Sequence, residues 1–208
     1  QFDHYEAFLK LLDEAYAPFE KKEFTFEDAD YTPLTASVDS SKAFPVEAGS
    51  DTENASSIYY AFICPGAKDD PKQELLLNTL TDLMTADGSV LMQSLKKALP
   101  SGRFATYIEL DGPEDMIVFY AQNVNQEDKD TFKATVDAAL ADIVQNGFSD
   151  DLVDGIVASL ELSTKLAAEG DDIGVELIQD IASYHSAADD PFGYMGYVDA
   201  LSQLRDWN

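Results

Sequence analysis

The chain has 208 residues and carries 13 Lys+Arg against 40 Asp+Glu, a formal net charge of −27. A surface this acidic repels phosphates and anionic headgroups, which argues against nucleic acid and membrane as partners. A hydrophobic content of 45% excludes disorder throughout, and the length suits one large domain, or one domain with an appendage.

Residues 2–19 read as a helix, with Phe8, Leu11, Leu12 and Tyr16 on one face, ended by Pro18 and the charged run Glu20 to Glu23. The following stretch, to residue 56, is rich in Ser, Thr, Asp, Glu and Ala and reads as a linker crossing a domain surface. Its one candidate strand is Lys42 to Glu47, which Pro45 restricts to a sheet edge. Asn54-Ala55-Ser56 fits a glycosylation triplet, a pattern that chance produces often.

From Ser57 the texture changes. Ser57 to Cys64 is apolar on both alternating faces, as expected of a central strand. Asp70 caps a helix with Pro71 at its first position and a stripe of Leu76, Leu80, Leu83 and Met84, broken at Gly88. Leu91, Leu95 and Leu99 mark a second helix, stopped by Pro100. Arg103 to Leu110 and Met116 to Ala121 form two strands joined by the turn Asp111-Gly112-Pro113-Glu114. Asn125 caps a helix with the stripe Phe132, Val136, Ala139, Leu140, Ile143 and Val144, closed by Gly147. Ser149, with Asp150 and Asp151, opens another, whose stripe is Leu152, Val153, Ile156, Val157 and Leu160, ended by Gly170. Residues 172–185 continue as a helix with Ile173, Leu177, Ile181 and Tyr184 on one side, and a last helix follows Asp190-Pro191 toward Leu204.

This order, β-α-α-β-β-α and then helices, defines an α+β class. It is most of a split β-α-β unit. With the edge strand near Lys42 it predicts a four-stranded, mainly antiparallel sheet, helices mainly on one face, and a helical C-terminal tail. The expected organisation is a terminal helix of a preceding domain at 1–22, a linker at 23–55 and an α/β domain at 56–208.

The residues offer little chemistry. His4 and His185 are the only histidines and lie far apart, so neither H-E-x-x-H nor H-x-x-E-H is present. The single Cys64 excludes a disulfide framework and thiolate zinc sites, and it reads as a buried small hydrophobe. A serine elbow, a phosphate loop and a dinucleotide glycine motif are all absent. The acidic pairs, such as Asp69-Asp70 and Asp150-Asp151, sit mostly at helix starts, where carboxylates cap, and match no calcium loop. Tyr184, Phe192, Tyr194 and Tyr197 could line a groove or anchor the tail on the core. No catalytic, metal or cofactor residue is assigned.

The order and spacing of these segments resemble the second domain of the pitrilysin/insulinase family of zinc peptidases, and within it the presequence-protease subfamily. The resemblance rests on Ser57 to Cys64, Glu74-Leu-Leu-Leu-Asn78 through Leu83, Ser89-Val-Leu91-Met-Gln-Ser-Leu95, Asn146-Gly-Phe148 and Glu161-Leu162. Its clearest piece is Asp190-Pro-Phe192-Gly-Tyr194-Met-Gly-Tyr197, followed by Leu201, Leu204 and Arg205. Upstream, Leu9 to Tyr16 with Phe19-Glu20 is similar to the last helix of the family's first domain. Leu99-Pro100-Ser101-Gly102 departs from the family's Gly-Leu-Gly-like turn.

The resemblance implies a non-catalytic domain that helps wall a peptide chamber in a zinc metalloendopeptidase. The zinc would lie in another domain and no cofactor in this chain. The implied partners are the remaining domains of the parent and its peptide substrate. A free-standing acidic interaction module and a non-catalytic relative of processing-peptidase subunits are the alternative readings. The −27 charge either keeps the protein soluble or lines the chamber with acid. Opening on Gln1 rather than Met suggests a processed or excised chain. Few cysteines and no charged-then-apolar leader suggest a bacterial cytoplasmic origin.

Overall fold

The structure is a computed structural model, and it describes residues 4–20, 32–67, 70–110, 114–169, 174–179 and 181. The chain divides into two units, residues 1–37 and 38–208. The first contains helix α1 (Tyr5–Tyr16), in which no residue is buried; the expected stripe of Phe8, Leu11, Leu12 and Tyr16 is present but exposed.

The second unit contains strand β1 (Ser56–Ile63), helices α2 (Pro71–Thr85) and α3 (Val90–Ala98), strands β2 (Arg103–Glu109) and β3 (Met116–Val124), and helices α4 (Lys129–Asn146) and α5 (Asp150–Ala168). Residues 174–179 are also helical. The rest of the expected tail, with Tyr184, His185, Phe192, Tyr194 and Tyr197, lies outside the described residues.

Local sequence explains the helix boundaries. The Asp70 carboxylate accepts from the Lys72 amide at 2.9 Å, and Pro71 occupies the first turn, where its missing N–H costs nothing. Ser89 accepts from the Met92 amide at 3.1 Å to start α3, and its own hydroxyl donates to the Met84 carbonyl at 2.6 Å, joining α2 to α3. Asn125 opens a 3-10 turn, Gln126–Asp128, whose capping box is closed by the Asp128 carboxylate accepting from the Asn125 amide; α4 follows directly. Gly147, at φ 71°, ends α4 in a left-handed conformation that a side chain would resist.

The sheet corrects the sequence-based expectation. It has three strands in the order β1-β3-β2, both pairings antiparallel, and not four. Lys42 to Glu47 forms no strand: its side chains are exposed, and Pro45 removes a ladder donor from a segment too short to lose one. The α+β class stands. A second correction concerns position: β1 is an edge strand and β3 the centre. Both are apolar on both faces, but only β3 is flanked on both sides, and it is correspondingly the more buried. Opposite Ser56 and Ser57 the register skips from Val124 to Gln122, leaving Asn123 as a bulge at φ 58°.

Cross-strand partners share a face. Ile58, Phe104, Ile117, Phe119 and Ala121 face the core, where Met84 of α2, Leu91, Leu95 and Leu99, and Phe132, Val136 and Ala139 of α4 meet them. Phe104 stacks on Phe132 with ring centroids 6.4 Å apart and an interplanar angle of 11°. Cys64 is half-buried at the core margin rather than buried, and Val144, expected in the α4 stripe, is exposed. Val157 is the buried residue of the α5 stripe, and Leu152, Val153, Ile156 and Leu160 are half-buried.

Candidate functional site

Among the described residues, the opposite face of the sheet carries several exposed side chains. Its residues follow from the register. Ser57, Gln122 and Arg103 form one row, and Tyr59, Tyr120 and Ala105 the next. Ala61, Val118 and Tyr107 form the third, and Ile63, Met116 and Glu109 the last. Tyr59 is 63% exposed, and Ala61, Ile63 and Tyr107 are also exposed; Val118, in the centre, is closed in among them.

The tyrosines act as a group. The rings of Tyr59 and Tyr120 lie 4.7 Å apart, tilted by 35°, and the Ser57 and Tyr120 hydroxyls are 3.4 Å apart. The Tyr59 phenol is held above its ordinary pKa, first by desolvation and then by the neighbouring Tyr120 and Tyr107 phenols. Ala61 and Ala105 are the small residues of these rows, beside the larger rings. Among the paired residues of this face the only charged ones are Arg103 at one end and Glu109 at the other. The −27 charge is thus carried elsewhere, and an acid-lined face is not what the sheet presents.

On the core face, at the margin of β1, Tyr60 joins β1 to α4. Its hydroxyl donates to Asp137 at 2.9 Å and accepts from Lys133 at 2.9 Å, and Lys133 also bonds Asp137 at 2.7 Å. Those bonds raise the Lys133 pKa and lower that of Asp137. Three mutual bonds tie the cluster together across β1 and α4, so it is a structural staple. A groove of about 350 Å³ between α2 and α5 is lined by Asp82, Thr85, Ala86, Ile156, Ser159 and Leu160. Burial raises the Asp82 pKa, and among the described residues that line the groove there is no His, Cys, Lys or second carboxylate to work with it.

Among the described residues no group of three or more His, Cys, Asp or Glu is placed to hold a metal ion. His4, at the start of α1, has no such company, and His185 lies outside the described residues. These residues do not fit a zinc centre. The purified chain is expected to hold less than about one-tenth equivalent of zinc, by metal analysis, and to show no chelator-sensitive peptide cleavage. Among the described residues no helix is long and apolar enough to cross a membrane.

The family profile for the inactive domain of M16 peptidases matches residues 4–160. The chain belongs to the M16 peptidase family, the pitrilysin/insulinase family that the sequence resembles, and is a domain of its non-catalytic type. A search of curated proteins finds no match.

The tyrosine face is what sequence reasoning missed. Tyr59, Tyr107 and Tyr120 lie in alternating strand positions that were visible in the sequence, but nothing there says which of two apolar faces the helices cover.

Proposed function

We propose that the chain is the non-catalytic second domain of a zinc-dependent metalloendopeptidase of presequence-protease-like type, and that its open sheet face forms part of the wall of the peptide chamber. The observation that carries this reading is the tyrosine face itself: an exposed, nearly uncharged aromatic surface on a domain of the family's inactive type. Membership of a peptidase family supports it, because such a domain works beside others that supply zinc and the water-activating base. The tyrosine rings would take the side chains of an extended peptide by stacking and edge contacts, without bonding to the reacting atoms.

Kinetics of the full-length peptidase test the reading. Tyr59→Ser with Tyr107→Ser removes two aromatic contacts worth about 0.5–1.5 kcal/mol each, enough for a roughly tenfold rise in KM for peptides rich in aromatic residues. kcat should stay within about twofold, because the rings hold substrate and transition state alike. An unchanged KM would remove the face from substrate binding.

A further inference from the structure

Residues 39–54 leave the fold and return to it at one place. At one end the Asp39 carboxylate accepts from the Lys129 ammonium at 2.6 Å. At the other the Asn54 amide donates to the Asn125 side-chain oxygen at 2.9 Å, and the Asn125 side-chain amide donates back to the Asn54 side-chain oxygen at 2.9 Å. The Ser101 hydroxyl also donates to that Asn54 oxygen, at 3.3 Å. Asn125 and Lys129 are four residues apart, at the two ends of the turn that leads into α4. Between the two anchors, the hydrogen bonds of residues 40–53 are local: the Ser50 amide donates to the Glu47 carbonyl and the Glu53 amide to the Asp51 carboxylate. Thr52 is bonded just beyond it, by the Ala55 amide. A segment of this length with adjoining ends is an Ω-loop.

The two anchors differ in physical kind. The Lys129–Asp39 pair is exposed, with side chains 48% and 71% open to solvent, and an ion pair in that setting is weak and screened by salt. Lys129 is also the first residue of α4, where a positive charge opposes the helix dipole, so Asp39 offsets an unfavourable placement. The Asn54–Asn125–Ser101 anchor is neutral and half-buried, and Asn54 takes a left-handed φ of 55° to make it. Salt has little to act on there.

We propose that the neck of this loop is a two-part latch in which ionic strength opens the Asp39 side while the Asn54 side holds. In the closed state the chain is pinned from Asp39; in the open state it is free as far as residue 53, which lengthens the mobile lead into β1 without disturbing the sheet. Exposed Phe44 and Val46 travel with the released half.

Lys42, the only basic residue of the loop, reports on the latch, because trypsin cleaves after it. The 208-residue chain is digested at about 0.05 M and about 0.5 M salt, conditions that span strong to weak screening. The rate of cleavage at Lys42 is followed by mass spectrometry and divided by that of a free peptide of residues 39–54. The corrected rate should rise several-fold with salt in the native chain. In Asp39→Asn, which removes one exposed charge and leaves the core alone, it should be high at both salts. The Asn54 amide should stay protected from hydrogen exchange in both. A native rate that ignores salt, an Asp39→Asn rate equal to the native low-salt rate, or loss of Asn54 protection along with the Asp39 side would each overturn the latch.

Discussion

Replacing Phe132 by Ala should lower the stability of the α/β unit by about 3–5 kcal/mol. Phe132 is fully buried, at the point where α4 meets the sheet, and its ring is the partner on which Phe104 stacks. Truncation therefore removes the transfer energy of a phenyl group, leaves a cavity under β2, and frees the Phe104 ring. Domains of this size hold about 5–15 kcal/mol in total, so the variant should sit near the edge of folding at 37 °C. Chemical denaturation followed by circular dichroism reads the loss directly. Val144→Ala, on the same helix but exposed, should change stability by no more than about 0.5 kcal/mol. Equal effects at the two positions would mean that α4 packs by another face.

Gly102→Ala should also destabilise, by about 1–3 kcal/mol, for the opposite reason. A Cβ at Gly102 would lie 2.3 Å and 2.7 Å from two atoms of the Phe104 ring and 3.2 Å from the Leu99 carbonyl oxygen. The turn cannot move away, because the Gly102 amide is bonded to that same carbonyl at 3.0 Å. The ring must swing instead, and swinging breaks its stack on Phe132. The two substitutions are therefore coupled. In the Phe132→Ala background the ring has space to move, and adding Gly102→Ala should cost less than it does in the native chain. A double-mutant cycle with an interaction energy of at least about 0.5 kcal/mol is expected; strict additivity would mean that the ring relieves the clash without touching Phe132.

The helices were legible because their signals are local. Asp70-Pro71, Ser89 and Gly147 mark ends by capping chemistry, and Leu91, Leu95 and Leu99 or Phe132, Val136 and Ala139 mark faces by spacing. The sheet was less legible because order is not local. β1 and β3 have the same apolar texture, and the fact that one is flanked and the other is not depends on pairings that join residues some sixty positions apart, such as Tyr59 with Tyr120. The expected fourth strand, Lys42 to Glu47, falls in a segment held near its ends by Lys129 and Asn125, and its residues are exposed and form no ladder. Val144 was added to the α4 stripe on spacing alone and falls just past the edge of the buried arc.

The candidate site shows the same division. The absence of a catalytic motif was readable from residue types, and so was the resemblance to a peptidase domain. Which surface would meet a peptide was not. Tyr59 and Tyr60 are neighbours in sequence, yet one lies in the open aromatic face and the other is bonded to Asp137 and Lys133 of α4. Only the side on which α3 and α4 pack decides between them.

Photo-crosslinking tests the central claim most directly. The full-length peptidase, inactivated by chelation, is mixed with peptides carrying a benzophenone side chain at successive positions, irradiated, and mapped by mass spectrometry. The expected attachment points within this domain lie on the tyrosine face of β1, β2 and β3, at and around Tyr59, Tyr107 and Tyr120. Attachment confined to the outer surfaces of α4 and α5, or absent from this domain at every probe position, would contradict a peptide-facing role for the sheet.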